Sequence, residues 1–472
     1  MGGQVAACAL GERVRTVHPG APCRSADAGS ISRRGSFTIS LRGVLAASLG
    51  FGLACFPQAD AYADVTPSIL VTTQVPEHML AYQESTIAEQ GEGDWSALGI
   101  NAGAFKLSPR VSVGQNFTSN AFATADGTAA AFERVDVDFR AQSQWSRHSL
   151  GLGVNRRWDF YVGHKDRNED NWSLNASGDV DVTSRVQINV DADLNRIVFN
   201  TLNSDFSNGE VLTTGALIAA TYDHASLGAT RTSGNSRFIV QAERYHINFL
   251  NADRFAETRN LYLDHKLYQV SAQAEYSFTP SLTVFSKLNY ATTEYGSGGN
   301  VNANTQDSKG GRFIVGARAS VPGFGRATLA AAYTRRSYDN ANLARINGFS
   351  LQARVDVFVS ALTTVNAEVG SRISDLQLTS TNANRENYVQ AGVDHALLRN
   401  FKLGADARLL RQKPLLSGTA STFSSLNLRG TYLASRRFGL SGRISYTNRS
   451  YAQSSQPSIQ ELSGGITLTY RI

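Results

Sequence analysis

Cysteine is nearly absent from the chain: there are three in 472 residues, Cys8, Cys23 and Cys55, all near the start. Beyond them neither a disulfide framework nor a cysteine-based metal site or nucleophile is available. Long apolar runs are also missing, so a helical membrane span is excluded, and with it an ordinary inner-membrane protein. Proline is scarce, 10 residues against 41 glycines, and only 18% of the chain is charged. His148, His164, His224, His246, His265 and His395 are scattered, without the neighbours a metal cluster or a Ser–His–acid arrangement needs. No metal, other cofactor or enzymatic activity is therefore expected. GSGGN at 296–300 lacks the strand-to-helix context of a phosphate loop.

The first segment reads as an address. Arg33, Arg34 and Arg42 precede the apolar run VLAASLGFGLACF, and Ala61-Tyr62-Ala63 offers small residues at signal-peptidase spacing, which places a cut after Ala63. Gly52 stands where lipid attachment at Cys55 would call for a leucine. Residues 1–63 hold six of the 45 basic and three of the 39 acidic residues, so their removal lowers the net charge from +6 to +3. No nucleic-acid partner is expected from that balance. Residues 64–99, with Pro67 and Pro76 and no sustained period, read as an irregular periplasmic extension too short to form a folded plug.

From residue 100 to 472 the texture is uniform. RVDVDFRAQSQW sets Val135, Val137, Phe139 and Ala141 against Arg134, Asp136, Asp138 and Arg140; SRVQINVDADLN, FSLQARVDVFV and RFGLSGRISYTN repeat that period of two. Tight connections such as Thr279-Pro280, Pro322-Gly323 and Arg399-Asn400 alternate with long polar ones such as FNTLNSDFSNGE and TSTNANREN. A chain that shuttles across a slab sorts its loops in this way. The expected fold is all-β, a transmembrane antiparallel up-and-down barrel of about eighteen strands (about 16 to 20), with both termini on the short-turn, periplasmic side. The final GGITLTYRI, residues 464–472, alternates to its last residue and is expected to close the sheet against Ala104–Phe117. Residues 257–277 switch apolar parity between Leu261, Leu263 and Val270, Tyr276, which suggests a bulge, and Arg244 and His246 fall in phase with the apolar Val240. Two aromatic girdles are expected, Trp145, Phe278, Phe324, Phe401 and Phe438 at the tight turns and Trp158, Phe160, Tyr290, Tyr338 and Tyr446 near the loops.

The polar face of such strands would line the interior. Arg134, Asp136, Asp138, Arg140, Arg157, Asp191, Asp193, Arg354, Asp356, Glu368, Arg372, Asp406, Arg408 and Arg443 are the expected lumen-lining charges. The i,i+2 carboxylates Asp136/Asp138, Asp179/Asp181 and Asp191/Asp193 share strand faces at about 7 Å, a spacing open to a cation site but equally that of a hydrated mixed-sign wall.

LGINAGAFKLSPRVSVGQNFTSNAFAT (98–124) and QSQWSRHSLGL (142–152) resemble the opening of the putative β-barrel porin 2 family of Gram-negative bacteria. Gly99, Phe105, Pro109, Asn120, Phe122, Trp145, Arg147 and His148 occupy the matching positions. The resemblance implies an outer-membrane channel, in a family often encoded beside genes for capsular or extracellular polysaccharide, and no active site. Assistance in polysaccharide export follows as an expectation; a non-conducting scaffold for a surface polymer or adhesion assembly is the alternative. Expected partners are outer-membrane lipid or lipopolysaccharide, the barrel-assembly machinery through residues 464–472, and polysaccharide or its export machinery. The chain ends in Ile472 where many barrels end in Phe, with Tyr470 its nearest aromatic.

Overall fold

The computed structural model describes residues 85–199, 202, 218–250, 264–295, 307–341, 343–375, 383–415, 419–453 and 456–472. The expected leader with its cysteines, the GSGGN loop, Leu261 and Leu263 lie outside them.

A short strand, β1 (Ile100–Ala102), precedes eighteen long ones: β2 (Phe105–Thr118), β3 (Ala130–Ser143), β4 (Ser149–Tyr161), β5 (Glu169–Thr183), β6 (Val186–Phe199), β7 (Ile218–Ser233), β8 (Ser236–Phe249), β9 (His265–Thr279), β10 (Leu282–Tyr295), β11 (Ser308–Val321), β12 (Gly325–Tyr338), β13 (Ile346–Ser360), β14 (Thr363–Asp375), β15 (Ala383–Leu398), β16 (Phe401–Pro414), β17 (Ser421–Leu433), β18 (Phe438–Tyr451) and β19 (Ile459–Arg471). From β2 onward each strand pairs antiparallel with the next, and β19 returns to β2. In hydrocarbon an unpaired backbone N–H or C=O costs several kcal/mol, so a sheet that spans lipid must leave no edge.

The seam shows how completely this is met. β19 pairs from Ser463↔Thr118 to Arg471↔Arg110, close to the Ala104–Phe117 expected from alternation. Below its end the edge of β2 continues, and β1 covers it by pairing Ala102↔Phe105 to Ile100↔Leu107. Between the two patches sits Pro109, whose carbonyl accepts from the Ile472 N–H at 3.3 Å. In a strand a residue's N–H and C=O point the same way, so the donor that proline lacks faces this gap, where nothing asks for it.

Alternation divides the two faces. Phe349 is 75% and Ile466 62% exposed on the outside, whereas Arg449 on the inner face is fully buried. Apolar outside and polar inside is the arrangement of a transmembrane barrel. Trp145, Phe278, Phe324 and Phe438 are exposed at the short-turn rim, and Phe160, Tyr290 and Tyr446 toward the long-loop rim. Tyr338 departs from the expected girdle: it shares the inner face of β12 and packs against the Ile346, Ile373 and Ala383 cluster.

The short turns lie at one rim. Pro322 and Gly323 form a tight turn closed by Phe324 N–H to Val321 C=O at 3.0 Å, and Gly323 takes the positive φ of 73° that such a turn demands of its third residue. Gly234-Asn235 and Ala361-Leu362 are further short connections, between β7 and β8 and between β13 and β14. The expected parity switch rests in part on Leu261 and Leu263, outside the described residues; within them β8 and β9 pair without interruption from Ser236↔Tyr276 to Ile247↔His265, and an irregularity falls at the adjoining turn, between Leu282 and Thr283 of β10.

Candidate functional site: the inner wall and its strap

The fourteen charges singled out by alternation stand on the inner faces of β3, β4, β6, β13, β14, β16 and β18. Most are locked into pairs. Arg134 grips Asp159 with two bonds of 2.7 Å; Asp136 accepts from Asn155 at 3.2 Å and Arg157 at 3.4 Å; Asp138 lies between Arg140 at 3.3 Å and Arg110 at 3.8 Å. Asp191 accepts from Ser226 at 3.1 Å, and Asp193 meets His224 Nδ1 at 3.1 Å. Asp356 holds Arg326 at 2.7 Å and Arg354 at 3.3 Å, while Arg429 bridges Asp406 at 2.6 Å and Asp394 at 2.5 Å. Glu368 collects Gln352, Tyr388 and Gln390 at 2.6, 2.8 and 3.2 Å; Arg372 donates to Glu386 at 2.6 Å; Arg443 reaches Asn427 at 3.4 Å. Arg408 stands beside Leu410 on the same face of β16.

The i,i+2 carboxylates do not converge on a shared point. Asp179 bonds Ser149 at 2.7 Å and Asp181 bonds Gln187 at 3.3 Å, each turned to a different neighbour. Among the described residues no three His, Cys, Asp or Glu side chains gather as metal ligands.

Charge is sorted around the wall. Among the described residues the inner faces of β2–β9 present ten acids and six lysines or arginines, and those of β10–β19 six acids and thirteen lysines or arginines. One half of the interior is therefore net negative and the facing half net positive, which sets a field across the barrel rather than along it. Several arginines of the positive half lie over aromatic rings: Arg372 over Tyr388 at 5.7 Å, Arg449 over Phe423 at 5.7 Å and Arg336 over Tyr338 at 5.8 Å. Stacking fixes the plane of a guanidinium while leaving its edge able to meet an anion.

A segment that sequence reasoning left as irregular extension crosses the short-turn rim. Thr86-Ile87-Ala88-Glu89 forms a reciprocal capping box: Thr86 N–H donates to Glu89 Oε2 at 2.9 Å, and Glu89 N–H to Thr86 Oγ1 at 3.3 Å. The turn is buried, Ile87 being only 2% exposed, and it is tied to strands far apart around the barrel. Ile87 N–H donates to Thr364 Oγ1 at 3.1 Å, Lys402 Nζ to the carbonyls of Ile87 and Gln90 at 3.1 and 2.6 Å, and Arg326 to Glu89. Further along, Arg436 donates to the Asp94 carbonyl at 2.7 Å, Arg471 to the Trp95 carbonyl at 2.9 Å and to the Glu92 carboxylate. Residues 86–95 are thus a strap laid from β19 and the β17–β18 turn to β12, β14 and β16. Burial alone would raise the Glu89 carboxyl, but the Arg326 hydrogen bond and charge, with Thr86, overcome it and hold that carboxyl below its ordinary range. The T-x-x-E spacing was the signal that could have revealed the turn.

The residues that carry the family resemblance have structural work. Asn120, 3% exposed, takes Thr124 N–H at 3.1 Å and donates to the Thr124 and Gln460 carbonyls at 2.6 and 2.8 Å, which pins the β2–β3 loop to β19. Phe122 meets His164 edge-on at 5.4 Å. Trp145 packs on Phe105 at 5.6 Å, while Arg147 and His148 fasten the first short turn to Asp181 of β5 at 3.4 and 3.2 Å.

Comparison with known proteins gives a family match and distant structural neighbours. No curated protein matches the chain in sequence. Among solved structures, Pseudomonas aeruginosa OpdL is 12% identical with a TM-score of 0.44, covering 79% of this chain and 99% of its own. Pseudomonas aeruginosa OccK2 (OpdF) is 10% identical with a TM-score of 0.46, covering 78% and 97%. The family model described as "Putative beta-barrel porin 2" matches residues 93–471, from the end of the strap through the last strand, and the chain belongs to that family of outer-membrane barrels.

Proposed function

We propose that this porin-like outer-membrane channel conducts small hydrophilic solutes and favours anions, with its short turns, strap and C-terminus on the periplasmic side. The observation that carries the preference is the excess of inward arginine and lysine on β10–β19, thirteen against six acids. A solute entering between the two halves meets a transverse field that orients its dipole, and the ring-supported Arg372, whose side chain is 19% exposed, faces it from the positive half. The opposite half supplies acids already engaged by neighbours, such as Asp159 on Arg134, which repel anions weakly. The strap narrows the periplasmic mouth, which favours compact solutes.

Planar-bilayer recording in a salt gradient tests this. The refolded barrel should give discrete steps with a reversal potential on the anion side; silence from protein that shows heat-modifiable folding sinks the channel and favours the scaffold. Export of an acidic polysaccharide is the narrower form of the proposal. It requires that a deletion strain accumulate the polymer in the periplasm, and a strain with normal surface polymer removes it. Orientation is tested by labelling whole cells with a membrane-impermeant thiol reagent: Asp126→Cys, in the β2–β3 loop, should react and Ser184→Cys, in a short turn, should not.

A further inference from the structure

The barrel also carries charge on its outside, where its neighbours are lipid. On the outward faces of β4, β5 and β6, toward the long-loop rim, Arg156 donates to both Asp170 oxygens at 3.1 Å, and Arg196 to Asp170 Oδ2 at 3.2 Å. Trp158 lies under Arg156 at 4.7 Å. On β7 and β8 the pattern recurs: Arg244 donates to Asp223 Oδ2 at 2.9 Å, and His246 Nδ1 meets Asp223 Oδ1 at 2.9 Å. The register sets Lys266 of β9 beside His246, with Glu294 of β10 opposite it. Of these, Arg244 and His246 are the positions that broke apolar phase in the sequence.

Three features bear on what they bind. Both groups lie above exposed apolar residues: Leu194 and Val240 are exposed on the same faces as Arg196 and Arg244, nearer the middle of their strands. In the first group Asp170 is shared by Arg156 and Arg196 and so does not cancel them, whereas in the second Asp223 and Glu294 match Arg244 and Lys266. The side chains of Arg156 and Arg244 remain 49% and 45% exposed, and an arginine has five N–H donors, of which Arg156 gives two to Asp170. An occupant must bring acyl chains to the apolar wall and negative charge to its upper edge.

We propose that the first group is a docking site for the phosphorylated headgroup of an outer-leaflet lipid, with Arg156 and Arg196 as the phosphate ligands. A second copy of this chain would set like charge against like across the same patch, whereas a phosphate meets guanidinium in its preferred bidentate geometry. The inference rests on the orientation proposed above, which puts the long-loop rim in the outer leaflet; thiol labelling decides that separately, and the outward positions leave conductance untouched.

Native mass spectrometry of the folded full barrel in detergent, with diphosphoryl lipid A as probe, tests it. The wild type, the control Arg231→Gln, outward at the other end of β7, and R244Q/K266Q, in the charge-matched group, should retain the lipid; R156Q/R196Q should weaken retention at least about tenfold. Lipid A stripped of both phosphates should bind the wild type no better than it binds R156Q/R196Q. Equal retention by wild type and R156Q/R196Q overturns the proposal, as does equal retention of the dephosphorylated lipid. Inorganic pyrophosphate that binds as tightly as the lipid overturns the lipid assignment, and a dimer appearing in place of bound lipid overturns the occupant. Should a variant fail to show heat-modifiable folding, the wild type decides alone: raising potassium chloride must release the lipid, and salt-independent retention refutes the charge contact.

Discussion

Two arginines of the inner wall illustrate opposite uses of one side chain. Arg134 is spent on structure. Both of its bonds go to Asp159, which is 2% exposed, so removing it strands a carboxylate away from water. Breaking such a pair costs about 3–5 kcal/mol, and Arg134→Gln should lower the temperature at which the folded band converts on a heat-modifiability gel. The paired change Arg134→Gln with Asp159→Asn should recover much of that loss, because it leaves a neutral hydrogen-bonding pair. Arg372 is placed for transport: its guanidinium lies over Tyr388 while one nitrogen holds Glu386 at 2.6 Å. Glu386 is also 2% exposed, so Arg372→Gln should lower that conversion temperature too; what sets it apart is a shift of the reversal potential toward cations, and an unchanged potential would remove Arg372 from the path. Such roles are only half visible in sequence. Period-two alternation shows which face a charge shares, as it did for Arg134, Asp136 and Arg372, but not which neighbour it grips, because cross-strand register depends on turns far away in the chain.

Among the elements, strands were the more readable and their connections the less. A strand buried on neither face by protein has lipid on one side and water on the other, so alternation persists through β3, β6, β13 and β18 and marks them. Ala361-Leu362 carries no Gly, Pro, Asn or Asp, so the turn between β13 and β14 has no local signature to find. Arg244 and His246 defied the pattern because the outward face of β8 ends in charge where the apolar band ends. The strap was missed because its capping box spans a single turn, without a period to detect. Its hold is chiefly charge and hydrogen bond: Glu89 on Arg326, Glu92 on Arg471 and Lys402 on two carbonyls. The acids of these pairs are 35% and 36% exposed and their arginines 6% and 12%, and the strap adds nothing to the strand-to-strand ladder, so it is a latch that can be opened without unfolding the barrel. The Glu89 carboxyl lies below its usual range when the strap is docked, so the docked state is favoured above the ordinary glutamate pKa, and that advantage is lost as pH falls through the lowered value. Conductance at neutral pH should be the strapped level and should rise only below the ordinary glutamate range, where Glu89 protonates. Glu89→Gln with Glu92→Gln should show the open level already at pH 7, by roughly twofold in current, and identical conductance in both proteins would deny the strap any part in gating.

For the molecule as a whole, closure decides stability and function together, since one unzipped seam both exposes backbone to lipid and lets the lumen collapse. Space at the seam is tight as well. Gly465 on the inner face of β19 lies against Asn116 of β2, and a Cβ added there would meet the Asn116 amide and come within 2.7 Å of the Gln115 carbonyl. The amide is the end of a flexible side chain and can move, whereas the carbonyl belongs to the partner strand and moves only with it. Gly465→Val should therefore part β19 from β2, with the folded band lost and the protein trapped as aggregate or a degradation product in cells. Gly465→Ala should be milder, and adding Asn116→Gly should recover part of the folded band but not all of it, since the contact with the Gln115 carbonyl remains. By contrast Gly442, on the outward face of β18, has only one atom at 4.0 Å from the position of an added Cβ, and Gly442→Ala should fold and conduct as the parent does. Urea titration of the heat-modifiable species across these four proteins separates the cases. If Gly465→Val closes and conducts normally, the β19–β2 pairing is not what completes the barrel, and the antiparallel cylinder of eighteen strands must be redrawn with its opening at that edge.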